Sequence, residues 1–191
     1  MSGTNAPKPP NTSATGGYLR AEPGGVTYRG LDVALQEMVA GVTGLPGNLV
    51  RSRWQENPSA RPDNGVNWAA VAATNQVLDW NPVRTHENAP AGTGRDVLLR
   101  YETFDLMASF YGPNSRDYAD CLIEGLAVPH NRWELKKAGV AVVGPRSVRN
   151  APDLINQRWF GATDVEIEMR RERRKVYPVL TLLAFPVAFE Q

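Results

Sequence analysis

The chain has one cysteine in 191 residues, Cys121, which excludes an internal disulfide framework and fits folding in a reducing compartment. No apolar run reaches the roughly eighteen residues of a membrane span, and the N-terminus, MSGTNAPKPPNTSATGG, lacks the apolar stretch of an export signal. Neither a transmembrane segment nor a leader is expected. Net charge is nearly absent: 21 Lys+Arg against 20 Asp+Glu leave +1, so no global field advertises nucleic acid or an anionic membrane as partner. Lysine is scarce, at positions 8, 136, 137 and 175 only, and arginine supplies the remaining cations. Arginine suits planar, bidentate contacts to carboxylates and phosphates, so the bias points to interfaces more than to solubility.

Catalytic constellations are missing as well. Cys121, His86 and His130 have no zinc-ligand spacing among them. Neither a Gly-x-Ser-x-Gly elbow nor a phosphate loop occurs, and Gly92-Thr93-Gly94-Arg95 lacks the lysine and the following helix, so it reads as a turn. His86 and Glu87 are adjacent on an extended segment and point to opposite sides, while His130, between Pro129 and Asn131, reads as a helix-junction residue. No catalytic residue, cofactor or metal is therefore expected, and the chain reads as a non-enzyme. The row Asp164, Glu166, Glu168, with Pro152-Asp153 upstream, leaves a small Mg²⁺-dependent nuclease as the rival reading. Its Glu-x-Lys element is missing, since Lys175 is preceded two places earlier by Arg173 and Glu172 lies three away.

What the chain does have is an ordinary globular composition, 42% hydrophobic and 21% charged, which predicts a single domain, here over 28–191. Residues 1–27, rich in Ser, Thr, Asn, Gly and Pro, cannot build a core and read as an extended N-terminal arm, flexible or laid on a neighbouring subunit. Leu31, Leu35, Met38, Val39 and Val42 recur at helical spacing until Gly41 and Gly44 end the run. A Pro-Gly turn leads to a short strand, Leu49 to Gln55, with Arg51 and Arg53 on one face. Trp68 to Trp80 reads as a strand, Val83 to Arg95 as a loop, and Asp96 to Tyr111 as a long strand suited to the sheet centre.

Asn114 or Ser115 should cap a second helix with Tyr118, Cys121, Leu122 and Leu126 as its buried stripe. Asn131 and Glu134 have capping-box spacing, which predicts a short helix over Arg132 to Ala138, followed by a strand from Val140 to Arg149. Val165, Ile167 and Met169 then alternate with Asp164, Glu166, Glu168 and Arg170, and Val176 to Phe189 reads as the returning strand of a hairpin. Its connection would be the basic run Arg170 to Lys175. That run admits three readings: a solvated hairpin end, a contact to carboxylates of another subunit, or a nucleic-acid contact through Arg170, Arg171, Arg173 and Arg174. The fold class is thus a mixed, largely antiparallel β-sheet with two or three helices packed on it.

Gly41 to Gln55 (GVTGLPGNLVRSRWQ), Ser109 to Arg132 (SFYGPNSRDYADCLIEGLAVPHNR), Pro152 to Trp159 (PDLINQRW) and Val176-Tyr177-Pro178-Val179 together resemble the neck or tail terminator family of tailed bacteriophages, over most of Gly30 to Phe189. The resemblance implies a structural virion protein at the head-tail neck, assembled in the host cytoplasm. It would form a homo-hexameric ring on the last ring of the tail tube protein, stop tube polymerisation and dock a neck stopper or connector. In a contractile tail it would also meet the sheath, and genome DNA would only pass through the lumen. An adaptor or a stopper is the alternative within the neck. Arg51, Arg53, Trp54, Arg158, Trp159 and Arg170 to Arg174, with the Asp164, Glu166, Glu168 face, are the candidate subunit and partner contacts, because Trp and Arg are enriched at interface cores. Burial in the core is the competing reading for the tryptophans.

Overall fold

The computed structural model describes residues 11–24, 27–55, 59–89, 92–155 and 157–182. In chain order these form α1 (Tyr28–Thr43), β1 (Val50–Ser52), β2 (Trp68–Leu78), β3 (Val83–Glu87), β4 (Arg95–Tyr111), α2 (Ser115–Ala127), α3 (Pro129–Lys137), β5 (Val140–Asn150), β6 (Asp153–Ile155), β7 (Arg158–Phe160) and β8 (Ala162–Pro178). The fold is α+β, with three α-helices among the described residues and a mixed, mostly antiparallel sheet. The chain divides into two compact units, Val26–Trp80 with Tyr101–Glu172, and Met1–Gly25 with Asn81–Arg100 and Arg173–Gln191.

In the larger unit the strand order is β1-β2-β4-β8-β5. β1 runs parallel to β2, whereas β2 with β4 and β5 with β8 are antiparallel. Ser109 meets Asp164 and Glu102 meets Arg171, so β4 and β8 also run in opposite directions. Residues 104, 106, 108 and 110 of β4 and 165, 167 and 169 of β8 point to one face, where they bury against Leu31, Leu35 and Val39 of α1, Leu122 and Leu126 of α2 and Leu135 of α3. Burying each large side chain contributes about 1.5–3 kcal/mol, which makes this face the main stabilising layer. Thr27 caps α1 by accepting the Gly30 N–H, and Gly44 ends it with φ at +75°. β6 and β7 form a separate two-stranded ribbon.

In the smaller unit β3 pairs with the first residues of β4, from Val83 opposite Leu99 to Glu87 opposite Arg95. Residues of the N-terminal segment bond to the C-terminal part of the same chain: the Glu22 N–H donates to the Val176 carbonyl at 2.8 Å, and the Leu180 N–H donates to Ser13 Oγ at 2.7 Å. Residues 1–10, 25 and 26 of the expected arm lie outside the described residues.

Five expectations need correction. The first strand is three residues long, not seven, although the Arg53 N–H still donates to the Val71 carbonyl. Val83 to Glu87, expected as part of a loop, forms β3 with almost no burial, so no apolar alternation marks it. In α2 the buried positions are 115, 119, 122 and 126, which puts Ala119 inward and leaves Cys121 exposed. α3 starts at Pro129, whose missing N–H is harmless in a first turn, and Asn131 donates to the Gly125 carbonyl at 2.8 Å in place of capping. The expected turn does not form at Arg170 to Lys175 either, because β8 continues unbroken through it with no Gly, Pro or Asn to turn it. Of the returning strand, residues 179–182 are not extended in a ladder, and 183–189 lie outside the described residues.

Candidate functional site

On the sheet face away from the helices, pairing sets Trp68 opposite Tyr111 and Ala70 opposite Ser109. The two rings stack at 4.3 Å with 15° between their planes, an aromatic floor at the β1 side of the sheet. β1 and the turn after it bring Arg51 and Arg53 alongside, and the chain returning toward β2 brings Arg61. These residues, with Ser52, Gln55 and Ser59, line an open groove of about 270 Å³.

Each guanidinium is partly fixed. Arg51 donates to the Ala60 carbonyl at 2.7 Å and stands 5.9 Å over Trp68. Arg61 stands 5.4 Å over Tyr111. Arg53 donates to Ser109 Oγ at 2.7 Å, and that hydroxyl donates to Asp164 Oδ1 at 2.5 Å. Among the described residues neither Arg51 nor Arg53 has an ion pair, since the oxygens they bond are neutral. Guanidinium groups set side by side in this way have the donor geometry to take a carboxylate or a phosphate through paired N–H groups.

The remaining candidate residues lie elsewhere. Asp164, Glu166 and Glu168 share the same sheet face but are not a free acidic row: Asp164 takes Ser109, Glu166 takes Ser147 at 3.0 Å and Arg149 at 3.1 Å, and Glu168 takes Arg146 at 3.1 Å. Arg146 occupies a bulge in β5 and reaches across β8 to Asp105 at 2.8 Å. Asn75, at the β2 bulge with φ at +48°, donates to the other oxygen of Asp105 at 2.9 Å. Arginines thus neutralise Asp105, Glu166 and Glu168, Asp164 is taken by a hydroxyl, and no cluster of metal-binding side chains occurs among the described residues.

The basic run is dispersed by strand alternation. Arg170 lies 4.5 Å over the Tyr101 ring and pairs with Asp79 at 3.2 Å, whereas Arg171 points to the helix side and is buried against Glu102. Arg174 pairs with Glu87 at 3.3 Å within the smaller unit, where Arg173 is half-buried. Beside Arg171, the carboxyl of Asp32 is pushed above its usual range by burial, an effect that the guanidinium partly offsets. Lys137, bonded to Glu134, holds that carboxyl below its usual range. Trp54 and Trp159 are exposed, at 67% and 70%, so core packing does not account for them. The side chain of Arg158 lies outside the described residues.

Three contributors to the groove were missed from sequence, namely Arg61, Trp68 and Tyr111. Their signal was the register: an antiparallel pair whose first strand opens on Trp and whose second closes on Tyr juxtaposes the two rings. His86, in the segment expected as a loop, lies on β3, with Nδ1 2.6 Å from Asp96 and Nε2 3.1 Å from Thr181 Oγ1. Among the described residues no helix is long and apolar enough to cross a membrane.

Residues 30–191 match the family model described as phage neck terminator protein. No curated protein matches the chain.

Proposed function

Because the chain belongs to the phage neck terminator family, a family of structural proteins of the virion neck, we propose that it is a non-catalytic ring subunit that ends the tail tube. The ring is a homo-hexamer seated on the last ring of tube protein. Its opposite side meets the neck stopper or connector, and in a contractile tail its periphery meets the last sheath ring. Genome DNA crosses the lumen without being a ligand.

The observation that carries this reading is the arginine groove over Trp68 and Tyr111. It is exposed, partly rigid and cationic, and Arg51 and Arg53 make no direct ion pair among the described residues of their own chain. Arginine beside an aromatic floor is the composition of an interface core. Trp54 and Trp159 extend the exposed aromatic surface of the same unit.

Light scattering on the purified chain, with negative-stain imaging of the chain alone and mixed with its tube protein, tests the reading. Six-fold rings, free or on tube ends, are expected. A monomer that neither closes rings nor caps tubes overturns it.

A further inference from the structure

Along α2 the exposed carboxylates Asp117, Asp120 and Glu124 recur at i, i+3 and i+7, which makes one stripe on the solvent side. Asp120 pairs with Arg116 at 3.1 Å, while Asp117 and Glu124 have no ion pair among the described residues. In the arginine groove, Arg51 and Arg53 show the complementary lack. The geometry points to a head-to-tail contact between two copies of this chain, in which the acidic stripe of α2 on one copy enters the Arg51, Arg53, Arg61 groove of the next. This contact rests on the ring reading above and adds which two surfaces meet.

Three features carry it. The groove is built on the sheet face of Ser109 and Tyr111, whereas α2 packs on the opposite face through Leu122 and Leu126. One copy can therefore use both surfaces at once, as a heterologous contact that repeats around a ring requires. The stripe spans about 10 Å along the helix, at a rise of about 1.5 Å per residue, and so brings its carboxylates to more than one guanidinium. Finally, Arg51 and Arg53 are already held by the Ala60 carbonyl and the Ser109 hydroxyl, so less side-chain freedom is lost on docking.

The same surroundings disfavour a nucleic-acid strand. A phosphate backbone needs a continued cationic track, but Asp164 lies one hydroxyl beyond Arg53, and the arginines further along that face, Arg149 and Arg146, are already paired with Glu166 and Glu168. A short acidic element fits where a long polyanion finds no further unpaired cations to follow.

Light scattering of three chains tests the contact: native, Arg53→Glu, and Arg53→Glu combined with Asp117→Arg and Glu124→Arg, with thermal melting recorded for each. The single substitution is expected to abolish ring mass without shifting the melt, and the combined chain to regain it. If Arg53→Glu fails to fold, a cross-link decides. A chain carrying Gln55→Cys and Cys121→Ser is co-assembled with the native chain and treated with a short bis-maleimide. Cys121, exposed between Asp117 and Glu124 on α2, should join the introduced thiol in a mixed dimer, and Asp117→Arg with Glu124→Arg in the Cys121-bearing partner should remove that product.

Native rings that give no mixed dimer, or a folded Arg53→Glu chain that still assembles, overturn the contact and leave the ring reading standing. A DNA duplex retained by the native chain and released by Arg53→Glu, with ring mass unchanged, overturns it in favour of phosphate binding. Absence of rings from the native chain, alone and on tubes, overturns both.

Discussion

Arg171 Nε lies 2.5 Å from Glu102 Oε2, and the two side chains are 4% and 1% exposed. They face each other across β8 and β4 on the helix side of the sheet, where Tyr28 lies 4.9 Å beneath the guanidinium and donates its hydroxyl to Glu102 Oε1 at 3.3 Å. Removing one partner strands a charge in a poorly solvated site. Glu102→Ala is therefore expected to cost about 3–5 kcal/mol in urea unfolding. The double replacement Glu102→Leu with Arg171→Met should be close to neutral, because it removes both desolvation costs along with the attraction.

Asp32 predicts a pH dependence. Its pKa in the folded chain is raised above 3.8, chiefly by burial, with Arg171 opposing. Folding thus favours its protonated form, so its contribution to stability is fully present below 3.8 and is lost as pH rises through the raised value. Asp32→Asn should modestly raise the urea midpoint at pH 7. The difference between variant and native chain should shrink on acidification through that window, and a constant difference would contradict the assignment.

Gly112 closes β4 with φ at +108°, and a Cβ there would lie 2.6 Å from Asn67 Oδ1 and 2.7 Å from the Val66 carbonyl. The same Asn67 oxygen accepts the Asn114 N–H at 2.9 Å, ahead of α2. Gly112→Ala should therefore lower stability by about 1–3 kcal/mol through backbone strain, with the overlap adding to it. Thermal unfolding of the variant measures the loss.

In the smaller unit the Thr181 N–H donates to the Gly92 carbonyl at 3.0 Å, and the Thr181 hydroxyl meets His86 Nε2. His86→Ala removes one tether. The Thr181 amide should then exchange with solvent up to about tenfold faster, as the loss of roughly 1 kcal/mol implies. Amides of β2 should keep their rates, and hydrogen exchange followed by mass spectrometry separates the two.

Where periodicity and burial agree, the fold was legible. Leu31, Leu35 and Val39 marked α1, and Val165, Ile167 and Met169 marked the inner face of β8, because one face of each element meets the core. β3 was invisible because both of its faces are wet, so its place depends on the backbone ladder to β4 alone. Arg170 to Lys175 read as a turn because charge usually marks solvent, but here Glu102 supplies a buried partner some seventy positions earlier. Arg51 and Arg53 were recognised as sharing a face. The aromatic floor beneath them needed the register of two strands that are distant in sequence.

The exposed tryptophans give the molecule an optical property. Trp54, Trp80, Trp133 and Trp159 are all open to water in the single chain, and Trp68 is half-covered. The emission of a lone subunit should therefore already lie at long wavelength and change little when the chain is denatured. Covering any of these indoles with a second protein would shift the spectrum to the blue, so the fluorescence of this chain reports association more than folding.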